Sequence, residues 1–270
     1  MNSPLSRFAQ AWLPPALVRS LRRAFTPPVF TGDFPTWEAA RAAATGYEAP
    51  AILEKAVAAT RAVRDGRAAY ERDTVLFATP EWHAPLLGAL LRRAAAGNGN
   101  LDVIDFGGAL GSTWWQHRRW LEGLPRLRWT VVEQAHFVAA GRAEFETGPL
   151  RFQPTLDAAA PDARNSTLLL SSVLPYLENP HALLADAARR GFGAIIIDRT
   201  GFVAGGRDRL TLQRVPPSIY PASYPCWFFD RPRLLQPLLP AYRVTAEWPT
   251  FDVADIAAEF RGLLLERTSP

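Results

Sequence analysis

The chain has 270 residues, and 48% of them are hydrophobic, enough to bury a sizeable core and to exclude wholesale disorder. Its formal net charge of +4 is carried almost wholly by scattered arginines, with Lys55 beside them. Without a dense basic stripe interleaved with aromatics, a nucleic-acid groove is not expected. Cys226 is the single cysteine, which rules out an intrachain disulfide and a cysteine-rich metal site.

The first segment, residues 1–30, mixes Leu5, Phe8, Trp12, Leu17, Leu21 and Phe25 with Arg7, Arg19, Arg22 and Arg23, and is interrupted at Pro14-Pro15. It suits either an anionic membrane surface or a protein surface. The short, broken apolar stripe favours the latter. No apolar run approaches the ~20 residues of a membrane span, and the N-terminus lacks the pattern of a secretory signal, so a cytoplasmic protein is expected, with peripheral contact to the inner membrane surface as the variant reading.

Residues 31–96 read as helical. Thr36 is a capping residue before Trp37-Glu38-Ala39, Ile52 to Val63 has apolar residues at helical spacing, and Trp82 to Ala96 is a further helix. The sequence therefore divides into an N-terminal helical extension or lid, 1–96, and a Rossmann-like domain, 97–270. Gly97-Asn98-Gly99-Asn100 marks the turn between them. Beyond it, strand-like runs at Leu101–Phe106, Trp129–Val132, Thr167–Leu170 and Ala194–Ile197 alternate with helical stretches at His117–Leu124, His136–Phe145 and Pro180–Arg190. That alternation predicts an α/β fold with a mostly parallel sheet covered on both faces. Tyr242–Trp248 and Leu263–Glu266 read as a closing antiparallel pair, and Ser218 to Phe229 as an aromatic, proline-rich loop.

The most informative stretch is Val103-Ile-Asp105-Phe-Gly107-Gly108-Ala-Leu-Gly111-Ser112, an apolar strand ending in an acid, a glycine bend and a helix start. Glycine permits close backbone approach to a ligand, and the following helix N-terminus favours negative charge. The next strand ends at Glu133, about 22 residues after Gly111, a placement suited to two ribose hydroxyls. The spacing Gly107-Gly108-x-x-Gly111 departs from G-x-G-x-x-G. With Asp105 two positions before Gly107, it points to S-adenosylmethionine rather than a nicotinamide dinucleotide.

With Leu170-Ser171-Ser172-Val-Leu-Pro-Tyr176-Leu177, Ile197-Asp198-Arg199-Thr200 and Ser223-Tyr224-Pro-Cys-Trp227, these segments make residues 10–250 resemble the class I methyltransferases of bacterial lipopolysaccharide and surface-polysaccharide gene clusters. The resemblance implies a seven-stranded sheet with an antiparallel last hairpin, S-adenosylmethionine as cofactor, and a sugar or sugar-linked acceptor methylated on oxygen or nitrogen. On this reading Asp105, Gly107, Gly108, Gly111, Glu133, Ser171 and Ser172 hold the cofactor, Ser172 serving equally well as a helix cap. Asp198, as a base, Arg199, as an anion holder, and Tyr224 act on the acceptor, a surface Asp–Arg ion pair being the alternative for the first two. Tyr176, Tyr220 and Trp227 contact it, or belong to the core.

The four histidines, His83, His117, His136 and His181, show no ligand spacing, so no metal is expected. His117 is expected to face solvent, with a general base as the alternative. Asp73 and the Trp82-His83 pair are candidates for a cover over the cofactor. A nicotinamide-dependent oxidoreductase or a non-catalytic adaptor on the same fold are the competing readings. The first lacks a lysine in the sheet region, and the second has no use for the glycines with Glu133.

Overall fold

A computed structural model describes residues 29–45, 49–215 and 222–268. The amphipathic segment read over 1–30 lies almost wholly outside the described residues. In chain order the elements are β1 (Phe30–Phe34), α1 (Trp37–Ala43), α2 (Ala49–Arg64), β2 (Tyr70–Arg72), β3 (Val75–Phe77), α3 (Ala84–Ala96), β4 (Asn100–Phe106), α4 (Ser112–Leu121), β5 (Arg126–Val132), α5 (Ala135–Glu144), β6 (Leu150–Gln153) and α6 (Leu156–Ala159). They continue with β7 (Thr167–Ser171), α7 (Pro180–Arg190), β8 (Ala194–Val203), β9 (Arg209–Arg214), β10 (Ser223–Asp230), α8 (Arg231–Leu235), β11 (Tyr242–Pro249) and β12 (Glu259–Arg267).

The central sheet runs β6-β5-β4-β7-β8-β12-β11. The first five strands are parallel and β12 is antiparallel to both its neighbours. This is a Rossmann-like α/β fold with the antiparallel closing hairpin that the sequence predicted. The strands are apolar on both sides because both faces are covered. Successive side chains alternate between two cores. Leu169, Ile196 and Leu264 join one core with Leu90, Trp114 and Phe137, while Leu168, Leu170, Ile195, Ile197, Leu263 and Leu265 join the other with Leu156, Leu184 and Leu234.

Three strands extend this sheet beyond the expected seven. β1, β9 and β10 form an antiparallel ribbon whose last strand pairs with the far end of β8, making the sheet ten-stranded. Two readings are corrected here. Residues 31–96 are not helical throughout, since Phe30–Phe34 pairs with β9 and Tyr70–Arg72 with Val75–Phe77 in a separate hairpin. Nor is Ser223–Asp230 a loop. Pro225 sits in a strand that meets β8 only at Phe229 and Asp230, so at Pro225 one edge is open and the missing N–H leaves no gap in a ladder. The predicted cap at Thr36 is in place, its hydroxyl accepting from the Ala39 N–H at 3.2 Å. Among the described residues, no helix is long and apolar enough to cross a membrane.

Candidate active site

A cleft opens over the carboxyl ends of β4, β7 and β8, where open α/β sheets bind their ligands. The glycine bend, Ser171-Ser172 and Asp198-Arg199 form its floor, and the β2–β3 hairpin, His83 and Phe251 its walls. Four non-glycine residues of the lining are held at positive φ: Asp73 (52°), Ala109 (51°), Ser172 (54°) and Arg199 (50°). Each costs on the order of 1 kcal/mol, and such strain gathers where backbone must be aimed at a ligand.

At the glycine bend, Gly107 and Gly111 adopt φ of 73° and 86°. Gly108 is required for a different reason: a Cβ there would lie 2.5 Å from the Asp105 carboxylate. Asp105 is buried and accepts from the Trp129 indole N–H at 3.0 Å. Burial pushes its pKa up to about 7, against the indole's pull, with Glu133 adding to the rise. Glu133, at the tip of β5, is turned toward the bend. It accepts from the Gln134 N–H at 2.7 Å and interacts with the Ala109 N–H, while burial holds its pKa above the usual carboxylate range. A carboxylate has about four acceptor positions, so two remain for vicinal hydroxyls. Gly111 and Glu133 do not themselves line the cleft; they stand behind and beside its glycine floor.

Asp198 is fully buried at the last parallel pair of β7 and β8. Its Oδ1 accepts from the Trp248 indole at 2.9 Å and meets His83 Nε2 at 3.2 Å, and its Oδ2 accepts from the Ser171 hydroxyl at 3.2 Å. Trp248 reaches across from β11 because Gly262 on β12 has no side chain; a Cβ there would overlap the indole. His83, the residue before α3, donates its backbone N–H to His117 Nε2 at 3.2 Å, and His117 Nδ1 donates to the Thr113 carbonyl at 2.9 Å. A backbone donor on one nitrogen and a carbonyl on the other leave His117 one satisfactory form, the neutral Nδ1–H tautomer. Burial lowers its pKa to about 4. The solvent-facing reading of His117 is therefore corrected: it lies 1% exposed, beneath His83.

Arg199 runs along the cleft to Asp252, at 2.9 Å, and Asp73, at 3.2 Å. It and Arg72 place their guanidiniums 4.9 and 3.7 Å from the centre of the Phe251 ring. The hairpin is thereby clasped to the loop after β11. Glu71 is buried beside it, accepting from the Thr74 N–H at 3.0 Å and interacting with Ser112 at the start of α4; burial raises its pKa.

The aromatic candidates stand apart. Tyr176 and Tyr224 meet edge to face at 5.4 Å, with the Tyr176 hydroxyl donating to Gln213. Trp227 stacks on Trp37, and its N–H donates to the Leu177 carbonyl at 3.1 Å. None of the three lines the cleft, and Tyr220 is outside the described residues. The Trp82-His83 pair divides: Trp82 packs on the exposed Trp120 while His83 enters the cleft. Glu71, Arg72, Trp248, Phe251 and Asp252 were missed from the sequence. They lie outside any motif, and only pairings such as Arg199–Asp252 bring them to the site. Among the described residues, no group of three acidic, histidine or cysteine side chains could hold a metal ion.

No family model matches the chain, and no curated protein matches its sequence. Among solved structures it is similar to the N-terminal domain of EvdMO1 with SAH bound, at 16% identity and a TM-score of 0.48, over 78% of this chain and 97% of that one. It is also similar to the glycopeptide N-methyltransferase MtfA complexed with sinefungin, at 10% identity and 0.46, over 68% and 87%. A third likeness is to an S-adenosylmethionine-dependent methyltransferase from Clostridium acetobutylicum, at 9% and 0.41, over 70% and 93%. Likenesses this distant say nothing about chemistry; the fold rests on the strand order, and the function on the cleft's own groups.

Proposed function

We propose that the chain is an S-adenosylmethionine-dependent methyltransferase acting on a sugar or sugar-linked acceptor. The observation that carries this is Glu133 at the Ala109 N–H of the Asp105–Gly111 bend, whose Gly107, Gly108 and Ala109 line the open cleft. The residues present fit the cofactor. Its ribose diol matches the free acceptor positions of Glu133. Its amino-acid carboxylate matches the first N–H groups of α4, which no side chain caps. Its ammonium and sulfonium charges match Asp105, Glu71 and Asp73, carboxylates at one side of the cleft.

Bound there, the sulfonium supplies a methyl group already activated for displacement. The chain's own contribution is placement, which can be worth several powers of ten in rate. Gly107 and Gly108 admit the ligand to the backbone, and Ser171 and Ser172 line the floor beneath it. Arg199, set by Asp73 and Asp252, stands on the acceptor side, with Phe251 as the aromatic face beside it for a sugar ring. Support for the sugar comes from the polar lining and from the resemblance of the motifs to surface-polysaccharide methyltransferases.

Titration calorimetry with S-adenosylhomocysteine and, separately, with NAD tests the reading. S-adenosylhomocysteine is expected to bind, and Glu133→Ala to weaken it by about 1.4 kcal/mol or more, a factor of ten. Binding of NAD and not of S-adenosylhomocysteine would return the chain to the oxidoreductase reading.

A further inference from the structure

The geometry points to His83 as the general base of the transfer, oriented by Asp198, and hence to a hydroxyl group as the acceptor. This rests on the reading above that the methyl donor binds at the glycine bend. Asp198 itself cannot touch an acceptor: it is fully buried and its oxygens are occupied by Trp248, Ser171 and His83. It can hold a ring. A carboxylate only accepts, so the Nε2 facing it carries the proton, and Nδ1 is left as the basic nitrogen. That Nδ1 makes no hydrogen bond among the described residues, on a side chain that lines the cleft together with the glycine bend.

The placement of His83 is fixed from two sides. His117, locked in one tautomer by Thr113, anchors its backbone, and Asp198 anchors its ring, from a position 115 residues away in sequence. The titratable and charged groups around it are Asp198 on β8, the neutral His117 on α4, Arg199 beyond Asp198, and Glu71, Arg72 and Asp73 on the hairpin. The buried Trp248 indole and the half-buried Ser171 hydroxyl both donate to Asp198. An amine acceptor that arrives neutral needs no base to attack. A sugar hydroxyl must lose its proton, and a positioned base contributes about a hundredfold or more. In the balanced step the hydroxyl proton passes to His83 Nδ1 and the acceptor oxygen forms the bond to the methyl carbon. The carbon–sulfur bond breaks with its electron pair staying on sulfur as a neutral thioether. His83 then returns the proton to solvent.

Nitrogen-15 histidine spectra of the whole protein test this, with His83→Gln supplying the assignment. A neutral His83 ring with its proton on Nε2 and a bare Nδ1 that shifts when S-adenosylhomocysteine is added is the expected result. In Asp198→Ala, which leaves Nε2 without its acceptor, the proton is expected to be shared between Nε2 and Nδ1, a change that a merely structural contact would not produce. A proton on Nδ1 in the unsubstituted protein, or an Nδ1 unmoved while calorimetry shows S-adenosylhomocysteine bound, overturns the proposal. If Asp198→Ala does not fold, the unsubstituted spectrum still decides. Failure of S-adenosylhomocysteine to bind at all defeats the cofactor reading, on the calorimeter rather than in the spectrum. With labelled S-adenosylmethionine and a mixture of methyl glycosides and amino sugars, ether-linked label that falls about a hundredfold in His83→Gln supports the base. Label in amines that His83→Gln leaves unchanged overturns it.

Discussion

Replacing Asp105 by asparagine should make the protein more stable at pH 8 while damaging the site. The Asp105 side chain is buried, and its pKa stands at about 7 instead of the ordinary 3.8, burial outweighing the Trp129 hydrogen bond. Between those two values the folded chain keeps a proton that the unfolded chain has released. Stability therefore falls as pH rises through that window, and above it the ionised form costs about 4 kcal/mol. Asparagine keeps an oxygen for the Trp129 indole and removes the charge. Urea unfolding should thus show Asp105→Asn more stable by up to about 4 kcal/mol at pH 8, with the advantage gone near pH 4, against a total stability of about 5–15 kcal/mol for a domain. The same variant should bind S-adenosylhomocysteine more weakly, a gain of stability against function. An Asp105→Asn protein less stable than its parent at pH 8 would refute the reasoning, because the buried carboxylate would then be stabilising the fold.

His117 works with the opposite sign. Its pKa is lowered from 6.5 to about 4 by burial, so the unfolded chain takes up a proton that the folded one resists, and stability falls as pH drops through that window. The loss is about 3 kcal/mol. It nearly offsets the Asp105 slope in the unsubstituted protein, so acid titration of Asp105→Asn should expose it and His117→Asn should abolish it. Gly262→Ala should lower the melting temperature, since the displaced Trp248 indole leaves the buried Asp198 a donor short, at about 1–3 kcal/mol, before any cost of overpacking. Gly88→Ala, on the exposed side of α3 with open space at its Cβ position, should instead raise it, by about 0.5–1 kcal/mol of stability. Equal melting temperatures for these two variants would contradict the Trp248–Asp198 account.

Much of the site was legible in the sequence where it is local. The Asp105–Gly111 bend and Glu133 lie on one strand–helix–strand unit, and parallel pairing of β4 with β5 puts their tips side by side. Ser171, Ser172, Asp198 and Arg199 were legible for the same reason, as residues at strand ends. The functional weight within that set was not. Asp198 and Arg199 are neighbours in sequence, yet Asp198 is buried under Trp248 and His83 while Arg199 turns out to Asp73 and Asp252. The aromatic run around Trp227 carried a strong composition signal and proved to be a strand facing Trp37.

By itself the sequence determined the alternating strands and helices from β4 to β8 that carry the glycine bend, and the closing pair β11–β12, because apolar periodicity and turn residues act over a few positions along the chain. It also determined which strand tips carry acid, glycine and serine. Only the tertiary structure decided that β1 belongs to the sheet, that a hairpin at residues 70–77 closes over the glycine bend, and that His83 meets Asp198. Those contacts join residues far apart in the chain. Their free energy comes from burial and from hydrogen bonds that exist only after the core has formed, and no local pattern records them.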